Sequence, residues 1–223
     1  MSEHDESIST LAAELEVVER FVRGLGADDW NQPTLLEPYI AASPPWTIKE
    51  LVAHIDISIG LTLGFLDSIQ DGQPGRDRVS FFIADRSQVA PVVYDYAKGL
   101  AGQHTPESLT DKLSETFSAS VAGARNHPGD TIGSGYFALM RLDEWIPSRT
   151  AEAVVHGLDL TDALGAPSIA SAEGVATTKT ILDDLLVRRT VPGRPSDLGD
   201  DLAFIRAASG RASHDDPRLP LLV

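Results

Sequence analysis

The chain has 223 residues, a formal net charge of −15 at pH 7 and no cysteine. The acidic balance argues against a nucleic-acid partner, because phosphate binding depends on clustered lysine and arginine. The lack of cysteine excludes disulfides, iron–sulfur clusters, thiolate metal ligands and cysteine nucleophiles. Any metal site in this chain therefore relies on histidine and carboxylate ligands.

Size and hydropathy favour one domain with an appendage. Hydrophobic residues make up 42% of the chain and charged residues 23%, which excludes global disorder. The acidic N-terminus lacks the basic flank and apolar segment of a signal peptide. No apolar run approaches the roughly 18 residues of a membrane span. We therefore expect a cytoplasmic protein, monomeric or homodimeric, with no membrane or nucleic-acid partner.

Apolar periodicity predicts mostly helices. The first is expected from about residue 8 to 25, after an N-terminal end that includes His4 and is expected to be disordered. A proline-rich loop follows, because Pro33, Pro38, Pro44 and Pro45 cannot continue a helix. Further helices are predicted at 105–125, 143–164, 171–189 and 200–209, with loops at 71–78, 126–135 and 192–197. Residues 80–101 are expected to form two short helical pieces, with a possible strand at 81–83.

The helix that carries His54 has a clear start. Thr47-Ile-Lys-Glu50 fits a capping box, in which the threonine hydroxyl and the glutamate carboxylate each bond the other residue's backbone N–H. His54 lies on the flank of the apolar stripe that follows. It is either a metal ligand or a half-buried histidine bonded to a backbone carbonyl. The remaining histidines, at 104, 127 and 214, are expected to be exposed in loops or tails.

A polar strip runs along the helix predicted at 143–164, with Pro147 in or near its first turn. Glu152 and His156 are four residues apart, so they lie one turn apart on the same face and can reach one metal ion. Arg149 and Asp159 extend the strip, and a buried polar strip needs partners. With His54, the pair makes a His, Glu and His set, which is typical of catalytic zinc with an open fourth position. A common surface ion pair has the same spacing and is the alternative.

Two segments resemble signatures of the DinB-like superfamily, in its mycothiol-dependent maleylpyruvate isomerase branch. They are residues 45–56, Pro-Trp-Thr-Ile-Lys-Glu-Leu-Val-Ala-His-Ile-Asp, and residues 149–160, Arg-Thr-Ala-Glu-Ala-Val-Val-His-Gly-Leu-Asp-Leu. Residues 202–211 are similar to the tail motif of many relatives. The resemblance implies an all-α fold: an up-down-down-up four-helix bundle over residues 1–165, with a short helical extension at 166–223 packed on it.

The resemblance also implies a function for the site. In the family, the residues matching His54, Glu152 and His156 hold a divalent metal, usually zinc. Mycothiol would occupy the open position, where metal coordination lowers the thiol pKa. The resulting thiolate would add to an electrophilic double bond and permit cis–trans isomerisation, or displace a leaving group and remain attached.

Four neighbouring residues have two interpretations each. Arg149 is predicted to orient a carboxylate of cofactor or substrate, and the alternative is an ion pair with Glu152 or Asp159. Trp46 is predicted to line the cofactor pocket, and the alternative is a packing residue before the helix cap. Asp56 and Asp159 are candidate acceptors for the second nitrogen of a ligand histidine, or solvated surface carboxylates.

One departure from the family changes the predicted activity. The maleylpyruvate isomerases carry a separate α/β C-terminal domain, whereas here about 58 residues follow Gly165. We therefore predict a zinc-dependent thiol S-transferase that uses mycothiol, or a related small thiol, on a small electrophile. The alternatives are a cis–trans isomerase and a non-catalytic binding protein on the same fold. A zinc hydrolase would need a general base that the sequence does not identify.

Overall fold

The structure is a computed structural model that describes residues 2–37, 43–83, 89–190 and 193–222. The predictions that involve Pro38 and Pro192 fall outside these ranges. The described part is mostly helical, as expected for an all-α DinB-like fold. It contains α1 (Glu3–Arg23), α2 (Ile48–Asp67), α3 (Ala90–Gln103), α4 (Pro106–Arg125), α5 (Leu142–Ala163), α6 (Ala172–Arg189), α7 (Asp201–Ala208), and the strands β1 (Ile132–Ser134) and β2 (Leu139–Arg141).

Four helices enclose the core. Helix α1 packs on α4 and α5, and α2 packs on the same two helices, so the four form a closed ring. Helix α3 lies against α2, α6 lies against α5 and α1, and α7 lies against α6. This arrangement brings α2 and α5 face to face. None of the helices in the described ranges has the length and apolar character that crossing a membrane requires.

The helix starts follow from local capping. The predicted box of Thr47 and Glu50 is confirmed: the Thr47 N–H donates to Glu50 Oε2 at 2.7 Å, and the Glu50 N–H donates to Thr47 Oγ1 at 3.3 Å. Helix α1 begins at Glu3, earlier than predicted, because Ser2 and Asp5 form a second box. His4 is therefore helical rather than disordered, and its Nε2 lies 3.2 Å from the carbonyl oxygen of His127.

Two local predictions are wrong, and two others hold. Residues Ser80–Ile83 form a short 3-10 helix rather than a strand. With α3, this helix gives the two helical pieces expected over 80–101, and α3 accommodates Pro91 because the proline falls in its first turn, where a missing N–H costs little. The loop expected at 126–135 contains β1, which pairs antiparallel with β2. Helix α5 starts at Leu142, within one residue of the predicted start, and Pro147 lies just after its first turn.

Helix α6 is tied to α1 by a buried carboxylate. Glu14 is 0% exposed, and its Oε2 accepts hydrogen bonds from the Ser171 backbone N–H at 2.9 Å and the Ser171 hydroxyl at 2.6 Å. Ser171 caps α6 by accepting from the Gly174 N–H. A Cβ at position 174 would collide with Glu14 Oε2, so a larger residue there would displace this carboxylate from Ser171.

This carboxylate predicts a pH effect on stability. Burial raises the pKa of Glu14, although hydrogen bonds from Ser171 oppose the shift. A raised carboxyl pKa contributes stability below the unfolded pKa, and that contribution is lost as the pH rises through the folded value. We expect Glu14→Gln to gain stability relative to wild type as the pH rises from about 4, near the unfolded value, through the raised folded pKa. Urea unfolding across this range measures the difference.

The control is Glu16→Gln, an exposed site on the same helix. Its stability difference from wild type should stay nearly constant over the same pH range. A Glu14→Gln difference that does not change with pH would show that the carboxyl titrates alike in the folded and unfolded chain.

Candidate metal centre

The three predicted ligands meet between α2 and α5. His54 lies on α2, and Glu152 and His156 lie one turn apart on α5. The His54 and His156 Nε2 atoms are 3.1 Å apart, and His156 Nε2 is 3.4 Å from Glu152 Oε2. One ligand atom from each residue lies within 4.8 Å of the others. The structure therefore brings together the set that the sequence predicted.

The donor set fits a zinc ion. Tetrahedral zinc with ligands at about 2.0–2.2 Å separates neighbouring donor atoms by roughly 3.3–3.6 Å. The two separations around His156 are close to this range, and the third pair of donor atoms lies within 4.8 Å. His156 is buried, whereas His54 and Glu152 are partly exposed. One side of the cluster thus remains accessible to a small molecule.

A carboxylate fixes the orientation of the His156 ring. His156 Nδ1 lies 2.8 Å from Asp159 Oδ2, one turn along α5. An Nδ1–H that donates to this carboxylate leaves the Nε2 lone pair directed at the cluster, the arrangement seen when histidine binds a metal. The candidate role of Asp159 as an acceptor is thus matched by its position. Asp56 lies instead 3.3 Å from Lys112 on α4. Both aspartates are buried, so neither is a solvated surface carboxylate.

Arg211, which follows α7, holds Asp159 in place. Its Nε donates to Asp159 Oδ1 and its Nη2 to Asp159 Oδ2, each at 2.9 Å. Burial alone would raise the pKa of Asp159, but the Arg211 charge and the His156 hydrogen bond lower it to about 2. Burial likewise opposes protonation of His156, but hydrogen bonds to Asp159 and Glu152 raise its pKa. Hydrogen bonds between Arg211 and Asp159 and between Asp159 and His156 therefore connect the C-terminal region to the cluster.

Arg149 is buried next to Glu152, one member of the cluster. It is 1% exposed, and its Nη1 donates to the Ser58 carbonyl oxygen at 3.2 Å and hydroxyl at 3.1 Å. Its guanidinium carbon lies 4.7 Å from the Phe81 ring centroid and 4.3 Å from that of Trp145. Its Nη2 is 3.9 Å from Glu152 Oε1. These contacts match the predicted alternative of an ion pair with Glu152.

Trp46 lies against His54. Its ring centroid is 4.8 Å from that of His54 and 5.8 Å from that of Tyr94, which is nearly parallel to it. The indole is 6% exposed. Trp46 therefore both packs before the helix cap and borders the metal cluster, so its position is compatible with both interpretations.

The other histidines do not join the cluster, which is the one group of its kind among the residues that the structure describes. They are partly buried rather than exposed. His104 Nδ1 lies 3.2 Å from Ser108 Oγ, His127 Nδ1 lies 2.9 Å from the Gly123 carbonyl oxygen, and His214 Nε2 lies 3.2 Å from Asp197 Oδ2.

Comparison with solved structures gives a full-length match. The crystal structure of a histidine-to-alanine mutant of the mycothiol-dependent maleylpyruvate isomerase superposes with a TM-score of 0.61 at 15% sequence identity. The match covers 96% of this chain and 93% of that chain. The expectation that this chain lacks a C-terminal part of the isomerases is therefore wrong for this relative. At this identity the likeness shows the fold alone.

Comparison with sequences identifies the family. No curated protein matches the chain significantly. The family model described as the mycothiol maleylpyruvate isomerase N-terminal domain matches residues 11–161, more than half of the chain. This span contains all three residues of the cluster. The chain therefore belongs to the mycothiol maleylpyruvate isomerase N-terminal domain family.

Proposed function

We propose that the protein is a mycothiol-dependent enzyme whose zinc ion is held by His54, Glu152 and His156. The observation that carries this proposal is the convergence of three ligand atoms from α2 and α5 within 4.8 Å. Bound there, zinc would lower the pKa of a coordinated thiol and supply a thiolate near neutral pH. The chain has no cysteine, so the nucleophilic sulfur comes from a small molecule.

The charges around the cluster support an anionic fourth ligand. Glu152 lies 3.9 Å from Arg149, and Asp159 lies 2.9 Å from Arg211, so each carboxylate faces an arginine. A divalent ion added to these balanced pairs leaves excess positive charge, which favours a thiolate over a neutral thiol. We propose that Arg149 serves the site by positioning Glu152, in place of the predicted clamp on a substrate carboxylate.

The leading activity is cis–trans isomerisation. The thiolate adds to a carbon–carbon double bond conjugated to a carbonyl, and the electron pair moves to the carbonyl oxygen as the carbon–sulfur bond forms. The carbon–carbon bond is then single and rotates. Return of the pair breaks the carbon–sulfur bond, restores the double bond in the other geometry and releases the thiolate. Membership of the mycothiol maleylpyruvate isomerase N-terminal domain family supports this activity, and the shared fold extends over almost the whole isomerase chain.

The zinc-dependent S-transferase expected from the sequence remains the second candidate. The same ligand set supports it, because its first step also uses a thiolate, which here displaces a leaving group and stays attached. The argument that placed it first, a missing C-terminal region, no longer holds against the full-length match.

We propose that the ring of α1, α2, α4 and α5 is an up-down-down-up bundle formed by residues 1–165. Residues 166–223 would be the extension packed on it. Two bidentate ion pairs from that region to α5, Arg206 with Asp162 and Arg211 with Asp159, support this packing. A cytoplasmic, monomeric or homodimeric protein is proposed with it, since that compartment keeps thiols reduced.

A turnover assay tests the function. Zinc-loaded protein is mixed with mycothiol and either a cis-configured 2-oxo enoic acid or the electrophile monochlorobimane. An isomerase converts the acid with full recovery of free thiol, and an S-transferase accumulates the bimane conjugate. Metal-free protein is the control and should give neither product. Absence of both products above background with zinc-loaded protein would contradict the proposed enzyme.

A further inference from the structure

Trp46 carries a buried donor that no described residue uses. Its Nε1 is shielded from solvent, and no acceptor in the part of the chain that the structure describes lies within hydrogen-bond distance. By contrast, the Nε1 of Trp145, which is also buried, donates to Thr62 Oγ1 at 3.2 Å. A buried polar group without a partner costs free energy, and such groups in native proteins call for an explanation.

The ring that carries this donor packs beside the proposed zinc site. The Trp46 ring packs on His54, with centroids 4.8 Å apart, and on Tyr94, at an interplanar angle of 11°. The Tyr94 hydroxyl donates to the Pro44 carbonyl oxygen at 3.0 Å, which anchors the stack to the segment before α2. The ring is thus held from two sides.

The ammonium group of Lys98 lies beside the same aromatic stack. Lys98 Nζ is 5.1 Å from the Tyr94 ring centroid and 3.5 Å from the Tyr94 hydroxyl oxygen. Its side chain is 38% exposed, and its Nζ lies 3.9 Å from Glu50 Oε1. An indole N–H only donates, and a lysine ammonium carries positive charge. Together, Trp46 and Lys98 therefore favour an oxygen acceptor that carries negative charge or a strong dipole.

We infer that the Trp46 N–H donates to an acyl oxygen, of a carboxylate or an amide, on the small molecule that binds beside His54. The inference rests on the proposed function and adds a selectivity to it. A ligand without such an oxygen leaves the N–H unpaired and binds more weakly. The site therefore distinguishes acyl-bearing ligands from simple alkyl thiols. The oxygen belongs either to the thiol or to its electrophilic partner.

Nuclear magnetic resonance observes this hydrogen bond directly. The chain has three tryptophans, so a nitrogen-15 spectrum shows three indole N–H signals, and Trp46→Phe identifies one of them. Zinc-loaded protein is titrated with N-acetylcysteamine, with 1-propanethiol or with maleate. We expect the Trp46 proton signal to move downfield with N-acetylcysteamine if the thiol supplies the oxygen, and with maleate if the partner does. The Trp145 signal should stay in place.

Affinities give a second readout. Trp46→Phe should bind the acyl-bearing probe about 2- to 10-fold more weakly, with propanethiol affinity nearly unchanged. Trp30→Phe, at another buried tryptophan, is the matched control and should keep the wild-type affinity ratio.

Two outcomes overturn the inference, and they are distinguishable. If zinc-loaded wild type binds the probes while the Trp46 signal stays still, or moves equally with propanethiol, the inference alone fails. If wild type binds none of the probes, the proposed function fails with it.

Discussion

Replacement of His156 by alanine is expected to abolish stoichiometric zinc binding. Wild type should retain about one zinc per chain after desalting, because three protein ligands are typical of catalytic zinc. His156 is 8% exposed, and its Nε2 lies within 3.4 Å of a donor atom of each other proposed ligand, so it is the centre of the set. Its loss leaves His54 and Glu152 on separate helices. Elemental analysis of purified protein measures the result.

His104→Ala is the matched control. His104 lies at the end of α3, where its ring contacts Ser108 and no member of the cluster. This variant should keep the wild-type zinc content, and circular dichroism should show both variants folded. A folded His156→Ala variant with full zinc content would place the metal elsewhere in the chain.

The second large effect concerns the support of His156. Asp159→Ala removes the acceptor that orients the His156 ring and leaves the Arg211 guanidinium without its carboxylate. Loss of such a support typically costs 10- to 100-fold in metal affinity, and we expect a loss of about this size. Arg211→Gln should act in the same direction with a smaller effect. Competition with a chelator of known zinc affinity measures both.

Arg206→Gln is the control for these two variants. Arg206 forms a bidentate pair with Asp162, also between the C-terminal region and α5, but neither residue contacts a ligand. Its zinc affinity should equal that of wild type. Equal losses in Arg206→Gln and Arg211→Gln would mean that both pairs act only by docking the C-terminal region.

The features that sequence could predict are local. Glu152 and His156 are close because four residues make one helical turn, and the Thr47 box starts a helix by contacts within one turn. The position of His54 opposite them came from a family resemblance. Spacing alone does not show which helices face each other.

The features that sequence missed depend on distant contacts. Arg211 meets Asp159 across 52 residues, and nothing near position 211 indicates that partner. From the sequence, Arg149 is expected to be an accessible cation beside the proposed ligands. In the folded chain, the rings of Phe81 and Trp145 pack against its guanidinium group. The strands β1 and β2 have three residues each, too few for an alternating pattern to be recognised.

Cobalt substitution tests the central claim most directly. Cobalt(II) replaces zinc in such sites and reports its ligands by absorbance. We predict that cobalt-loaded wild type gains a near-ultraviolet sulfur-to-metal charge-transfer band when mycothiol is added. The His156→Ala variant should show no such band. A wild-type spectrum that mycothiol leaves unchanged would contradict the claim that these three residues hold a metal that binds an external thiol.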